Sequence, residues 1–189
     1  MTDRELVERC LKGDASAQHL LFKTHSSKMY SLCMRYMGNQ VEAEDVLQDS
    51  FIKVFERLKQ WKGDGPLGGW IRTVVVNTAL TQLKSRKRTQ GDVKVEEAFQ
   101  VYDHAESQLQ AMQAAELMKL IQELPDGYRT VFNLFAIEGY PHKEIAEQLG
   151  ITESTSKTQF LKARNWLMRQ LEQTDVKDCL LYTSDAADE

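Results

Sequence analysis

The 189-residue sequence predicts an all-α protein: two small helical domains joined by a flexible linker. Three observations carry this. Apolar residues recur at three- and four-residue spacing along most of the chain, the period of helices with one buried face. The 10 glycines and 3 prolines are few and mark the breaks between those segments. Hydrophobic residues make up 42% and charged residues 28% of the chain, a composition that suits amphipathic helices around a core.

Residues 3 to 11, DRELVERCL, read as a short helix with Leu6, Val7 and Leu11 on its apolar side, closed by Gly13-Asp14. A long helix follows over 15–37, with Leu20, Leu21, Met29, Leu32, Cys33, Tyr36 and Met37 inward and an interruption at Ser26-Ser27. Gly38-Asn39 ends it, since both residues tolerate the left-handed backbone. Residues 40–60 form the clearest helix. Its core stripe is Val46/Leu47, Phe51, Val54/Phe55 and Leu58, and Glu42, Asp45, Gln48, Asp49 and Lys53 lie on or near the other side.

The breaker KGDGPLGG (62–69) comes next, with four glycines and Pro66. It leads into the helix on which the first domain turns, GWIRTVVVNTALTQLKSRKR (69–88). The expected underside is Trp70, Val74, Asn77/Thr78 and Leu80/Leu83. The other side carries Arg72, Asn77, Gln82, Lys84, Arg86, Lys87 and Arg88. No acid falls between Asp64 and Asp92, so this helix suits a nucleic-acid backbone and a few bases.

Residues 89–108 are polar and acidic and read as the linker. Helical period resumes through Leu109, Met112, Leu117, Leu120/Ile121 and Leu124, and stops at Pro125-Asp126. A helix over 127–138 carries Tyr128, Val131, Phe132 and Phe135. Then come a short helix (142–149), Gly150, the N-cap Thr152, and a long helix to about Gln173. Short helix, glycine turn, long helix is the helix-turn-helix pattern. Ile145, Ala146, Leu149, Ile151, Phe160, Ala163 and Leu167 supply its core, and Ser154, Thr155, Lys157, Thr158, Leu161, Lys162 and Asn165 its outer face. Residues 174–189 lose the period. They are set aside as a non-native or disordered tail, whose last eleven residues, CLLYTSDAADE, read as translated adapter sequence.

The formal charge of −4 does not mark a nucleic-acid binder, but its distribution is informative. Residues 65–91 hold Arg72, Lys84, Arg86, Lys87 and Arg88 and no acid, whereas 92–126 hold eight acids against Lys94 and Lys119. Opposite blocks suit separate surfaces for separate partners. Cys10, Cys33 and Cys179 are odd in number and lack CxxC spacing, which points to reduced thiols in a cytoplasmic protein. No segment has the length and apolarity of a membrane span, so no membrane insertion is expected. His19, His25, His104 and His142 make no ligand spacing, and neither a metal nor a cofactor is expected.

Three motifs in order, DVLQDSFIKVF (45–55), GWIRTVVVNTALTQLKSRKR (69–88) and PHKEIAEQLGITESTSKTQFLKAR (141–164), resemble a bacterial RNA polymerase sigma factor of the extracytoplasmic-function (ECF) class, in the sigma-70 superfamily. The resemblance runs from about Asp3 to Gln173. It implies a region 2 domain at 1–88, a linker at 89–108 and a helix-turn-helix region 4 domain at 109–173. Such proteins bind core RNA polymerase at the β′ clamp helices and the β flap, recognise the −10 and −35 promoter elements and promote DNA opening. They catalyse no covalent chemistry and use no small-molecule substrate. An anti-sigma factor often holds them inactive.

By resemblance, Asp45, Gln48, Asp49 and Lys53 fall at the polymerase contact. Asp64, Leu67 and Trp70 belong to or adjoin the loop of the −10 pocket. Asn77 stands beside the extruded base, and Arg72, Lys84, Arg86 and Arg88 fit phosphate contacts. Lys157, Thr158, Leu161 and Lys162 fall where the family reads the −35 major groove, with Thr155 and Arg164 at phosphates. Two positions depart from the pattern. Leu67-Gly68 stands where members often carry an aromatic pair or an aromatic-polar pair, and Ser156 where many have valine.

Two other functions compete with this reading. A conventional helix-turn-helix repressor or activator would bind duplex DNA without polymerase, but it has no need of the basic helix. A helical metalloenzyme using Glu42, Glu44, Asp45 and Asp49 would want the Glu-x-x-His pairs of bundle di-metal sites, which that helix lacks.

Overall fold

The computed structural model describes the backbone of residues 1–90 and 114–184 and the side chains of residues 1–86 and 116–172. Among the described residues every regular element is helical. The chain divides into two compact units, Met1–Val93 and Lys94–Glu189.

The first unit opens with α1 (Asp3–Leu11). Thr2 and Glu5 cap it reciprocally: the Glu5 amide donates to Thr2 Oγ1 at 3.2 Å and the Thr2 amide to Glu5 Oε2 at 2.8 Å. Helix α2 (Ala15–Met37) starts on Asp14, whose carboxylate accepts from the Ser16 and Ala17 amides, and ends on Gly38 at φ +78°. Helix α3 (Gln40–Arg57) starts on Asn39 and closes in a 3₁₀ turn over Leu58–Gln60. Helix α4 spans Leu67–Gln90. Helices α2, α3 and α4 pack pairwise, and α1 lies against α2. Leu21, Leu32, Tyr36, Met37, Val54, Leu58, Ile71 and Val75 form the fully buried centre. Each of the larger aliphatics there contributes roughly 1.5–3 kcal/mol by leaving water.

Several expected faces are rotated. In α1 the third inward residue is Cys10, while Leu11 is 53% exposed. In α2 Ala17 packs inward and Leu20 is exposed. Ser26-Ser27 does not interrupt α2, and the Ser27 carbonyl there accepts from Ser31 Oγ at 3.2 Å. In α4 the underside is Leu67, Ile71, Val75, Thr78 and Ala79, with Val76 and Leu80 beside it, not Trp70 and Val74. Three consecutive valines satisfy more than one helical register, and only packing against α2 and α3 selects between them.

Helix α4 also begins two residues early, inside the stretch read as a loop. Pro66 fixes the entry, its carbonyl accepts from the Gly69 amide at 3.0 Å, and Asp3 accepts from the Leu67 amide at 2.9 Å. These contacts outweigh the poor helix propensity of Gly68-Gly69.

The second unit comprises α5 (Ala114–Glu123), α6 (Asp126–Phe132), α7 (His142–Leu149) and α8 (Glu153–Ser184). The single helix expected over 127–138 ends at Phe132 and widens into a π turn, Asn133–Ile137. The Tyr140 amide reaches back to the Leu134 carbonyl at 2.9 Å, and Gly139 takes φ +79°. Ile121, Leu124, Phe132, Ala163 and Leu167 form the core, with Leu117, Tyr128, Phe160 and Trp166 against it.

Arg129, an unforeseen buried cation, donates to the Gln122 and Leu124 carbonyls at 2.9 and 3.0 Å and pairs with Asp126. It thereby satisfies the carbonyls that α5 leaves open at its C-terminus. Helix α8 continues past Gln173 to Ser184. Residues 174–184 contain neither Gly nor Pro, and the helix propagates whatever the origin of the segment. The expected linker begins with Thr89 and Gln90 still in α4, and residues 91–113 lie outside the described residues, as do 185–189.

Cys10 and Cys33 are free and buried, and burial pushes the Cys33 thiol up to about 12. Both are therefore thiols rather than thiolates near neutral pH. Among the described residues no helix is long and apolar enough to cross a membrane.

Candidate nucleic-acid interface

With Ile71 and Val75 inward, α4 turns Thr73, Asn77, Thr81 and Lys84 to solvent, with the half-buried Trp70 at the head of the same ridge. Thr73 and Thr81 spend their hydroxyls on the Gly69 and Asn77 carbonyls. The Asn77 amide is thus the exposed group on this ridge able both to donate to and to accept from a base edge. Seven residues separate Trp70 from Asn77, two helical turns or about 10 Å along the axis.

The basic set is less uniform than the sequence implies. Lys84 is exposed and Arg72 half-buried. Arg86 is turned inward and pairs with Glu42 of α3 at 2.8 Å, both partly covered. Its guanidinium ties α4 to α3, which removes it from the phosphate set. The side chain of Arg88 lies outside the described residues.

Beside the head of α4, Gln60, Trp61, Lys62, Asp64, Gly65, Pro66, Gly69 and Trp70 line an open cleft of ≈ 350 Å³. Two indole rings therefore stand at the loop even though Leu67-Gly68 lacks the family's aromatic. Trp61, just past the helix expected over 40–60, has no role in the sequence pattern and joins the loop only in the fold. Asp64 is exposed in this cleft, but Leu67 is 0% exposed and belongs to the core, so its side chain cannot meet DNA.

On α3, Asp45, Gln48 and Asp49 share one exposed turn. Lys53 does not join them, because its ammonium sits 3.5 Å from Thr78 Oγ1 on α4. Next to the turn lies an apolar groove of ≈ 480 Å³ lined by Phe22, Glu44, Leu47, Gln48, Phe51, Ile52 and Phe55. Phe22 and Phe51 meet edge to face at 4.7 Å, and Ile52 is 51% exposed. Sequence reading placed Leu47 and Phe55 in the core stripe and passed over Phe22 and Ile52. Their departure from the inward period was the available signal.

In the second unit, Gly150 at φ +69° turns the chain between α7 and α8, and the Thr155 amide donates to the Thr152 cap at 3.1 Å. The Thr155 hydroxyl joins the same cap at 2.8 Å and is half-buried, so it serves the helix start. Lys157, Thr158 and Leu161 form an exposed ridge on the first turns of α8. Glu153 pairs with Lys157 at 2.6 Å, a hydrogen bond that lowers the glutamate pKa. Lys162 is half-buried with its ammonium 6.0 Å above the Tyr128 ring, and Arg164 is half-buried. Asn165, expected on the outer face, is buried. Ser156 is buried as well, with its hydroxyl 2.9 Å from His142 Nδ1.

The fold and these faces define a two-unit helical DNA-binding protein, with a basic helix in one unit and a helix-turn-helix in the other. The family model for sigma-70 region 2 matches residues 21–89, and that for sigma-70 region 4 matches 114–167. RNA polymerase sigma-H factor of Pseudomonas aeruginosa is 31% identical over 90% of this chain and 94% of its own. The ECF RNA polymerase sigma-E factor of Haemophilus influenzae is 28% identical over 91% of this chain and 96% of its own. Among solved structures, the sigma factor RpoE of Bartonella quintana, in complex with the anti-sigma factor NepR, aligns with TM-score 0.51 and 20% identity over 83% of this chain and 97% of that one. The chain belongs to the ECF class of the sigma-70 family of RNA polymerase sigma factors.

Proposed function

We propose that this sigma factor works as two DNA-reading modules, region 2 within 1–88 and region 4 within 109–173, carried to promoters by core RNA polymerase. The observation that carries the reading is the exposed ridge Trp70–Asn77–Lys84, which runs from an aromatic loop cleft along a helix whose other face is core. An extruded −10 base needs an amide to read its edge and a ring to stack on, and this ridge offers both. Asp64 and Trp61 shape the cleft, and Arg72, Lys84 and Arg88 serve the phosphates.

In region 4, Lys157, Thr158, Leu161 and Lys162 read the −35 major groove, and Arg164 reaches phosphate. Asp45, Gln48 and Asp49, beside the apolar groove with Phe22 and Ile52, dock the β′ clamp helices: an acidic turn flanking an apolar slot suits a basic amphipathic helix. The β flap takes region 4. An anti-sigma factor covers these exposed faces when the protein is silent. No chemistry of its own is required, and the protein acts in the cytoplasm. The conventional repressor reading is disfavoured by the family and by the ridge on α4.

Transcription in vitro with purified core polymerase, this chain and a genomic promoter library tests the proposal. New start sites that share an upstream pair of elements are expected. Specific retention of duplex DNA by the protein alone, without transcripts, would overturn it in favour of a repressor.

A further inference from the structure

The loop at the head of α4 is held from outside at both ends. Asp3 of α1 accepts the Leu67 amide at 2.9 Å, across sixty-four residues of sequence. That amide is one of the donors a helix start leaves open, so Asp3 supplies from another helix the cap that α4 would otherwise take from its own preceding residue. The neighbouring residue is Arg4, whose guanidinium lies over Gly63: a Cβ there would fall 3.2 Å from one of its terminal nitrogens, with Trp61 also within reach. From α2, the His25 ring closes on Gly68, where a Cβ would lie 3.3 Å from Cε1. The Asp3 carboxylate also favours the charged form of the His25 imidazole, against its burial.

Thr2 and Glu5 fix the start of α1, and Leu6, Val7 and Cys10 bury its other face. Asp3 and Arg4 are therefore presented by an anchored helix. The family's region 2 match begins only at residue 21 and leaves α1 without an assigned role.

We propose that Asp3, supported by Arg4 and His25, is a positioning residue for the promoter loop. By capping α4 from α1 it holds Asp64–Gly69, and with it the Trp61/Trp70 cleft, in the geometry that discriminates the −10 base. This inference rests on the −10 reading of that loop. A cleft assembled from glycine-rich backbone has little rigidity of its own, and a cap in trans restrains it without placing a side chain in the cleft.

The test compares the full-length wild type with Asp3→Ala and Asp3→Asn. Amide hydrogen exchange at Leu67 is measured in the free protein. Core-polymerase affinity is measured with the holoenzyme, as is the ratio of opening rates on a selected promoter and its single-base −10 variants. Asp3→Ala is expected to speed Leu67 exchange about five- to tenfold, the scale of a lost N-cap. It is expected to lower the −10 discrimination ratio by a comparable factor and to leave core affinity unchanged. Asp3→Asn, which keeps an acceptor, is expected to stay near wild type in all three. Unchanged Leu67 exchange in Asp3→Ala overturns the cap. Faster exchange with an intact discrimination ratio overturns the positioning role. A wild-type holoenzyme that opens no promoter removes the −10 reading beneath the proposal, an outcome distinguishable because exchange is read without polymerase or DNA.

Discussion

Ser156 Oγ and His142 Nδ1 stand 2.9 Å apart between the two helices of the helix-turn-helix, with the imidazole stacked on Phe135 at 4.1 Å and tilted against Phe160. Ser156 has no solvent exposure, so the hydroxyl that replaces the family's common valine is not wasted in the core but joins α8 to the first residue of α7. His142 is thereby part of the packing between the two helices.

The place of His142 in this packing makes stability depend on pH. Burial lowers the His142 pKa, Lys157 lowers it further, and Glu153 opposes both. The unfolded chain therefore binds the proton more readily than the folded one. The contribution is fully present above the unfolded value of about 6.5 and is lost as pH falls through the lower folded value. His25 is shifted the same way, chiefly by burial. Thermal melts between pH 7.5 and 5 should show Tm falling on the acid side. His142→Gln should remove part of that slope and leave the part due to His25. An identical slope in His142→Gln would show that the imidazole is not coupled to folding.

Arg129→Ala should destabilise the protein by about 2–4 kcal/mol. The variant leaves the Gln122 and Leu124 carbonyls without their guanidinium donor, and unmade buried hydrogen bonds cost roughly 1–3 kcal/mol each. Urea unfolding would register this as a lower midpoint. A change under about 0.5 kcal/mol, the size of an ordinary surface substitution, would mean that water replaces the arginine fully.

Much of this architecture was legible because strong local signals agreed. The break at Gly13-Asp14, the N-cap Thr152, the glycine turns at Gly38 and Gly150, and the helix-turn-helix core around Ile145 and Ala163 all stand where the sequence puts them. What was not legible depends on partners distant in the chain. The register of α4 is chosen by α2 and α3, its early start by Asp3, and the inward turn of Arg86 by Glu42. Periodicity shows that a face exists. It cannot say which of two adjacent valines faces in, or whether a surface cation already has a partner. The groove beside α3 escaped for a related reason: Phe22 and Ile52, which complete it, are apolar residues outside the inward stripe, and one sequence alone does not separate such residues from scattered surface hydrophobics.

Gln48→Ala with Asp49→Ala should weaken binding to core polymerase by roughly tenfold or more, the range of interface positions that cost above 1 kcal/mol. Ile52→Ala should weaken it further through the apolar groove. All three side chains are exposed, so circular dichroism and Tm should hardly change. Retained affinity with an intact fold would move the polymerase contact off this face.

Lys162→Ala should cost on the order of 1–3 kcal/mol in recognition of −35 duplex by the holoenzyme, and relax preference at the contacted base pairs. Thr155→Ala is expected to reduce stability through the Thr152 cap while leaving base preference in place, because its hydroxyl is spent within the helix start. Equal loss of base preference in both variants would contradict this division between groove and cap. Competition titrations with single-base variants of the −35 element provide the measurement.

Asn77→Ala separates reading from docking. The amide stands exposed two turns beyond Trp70, and the hydroxyls nearest it along the ridge are bound to backbone, so nothing on that ridge substitutes for it. Losing a bidentate contact to a base should raise the barrier to promoter opening by about 1–3 kcal/mol, a slowing of roughly 5- to 160-fold. Recruitment through region 4 should persist, since Asn77 lies in the first unit and the −35 ridge in the second. Asn77→Ala should leave the fold intact as well, because the residue is exposed and alanine favours the helix. Permanganate reactivity of unpaired thymines at the −10 element reports opening, and filter retention of −35 duplex with core polymerase reports recruitment. Opening should fall while recruitment holds. Parallel loss of both would mean that Asn77 acts before strand separation, in duplex binding, and would withdraw it from the base pocket.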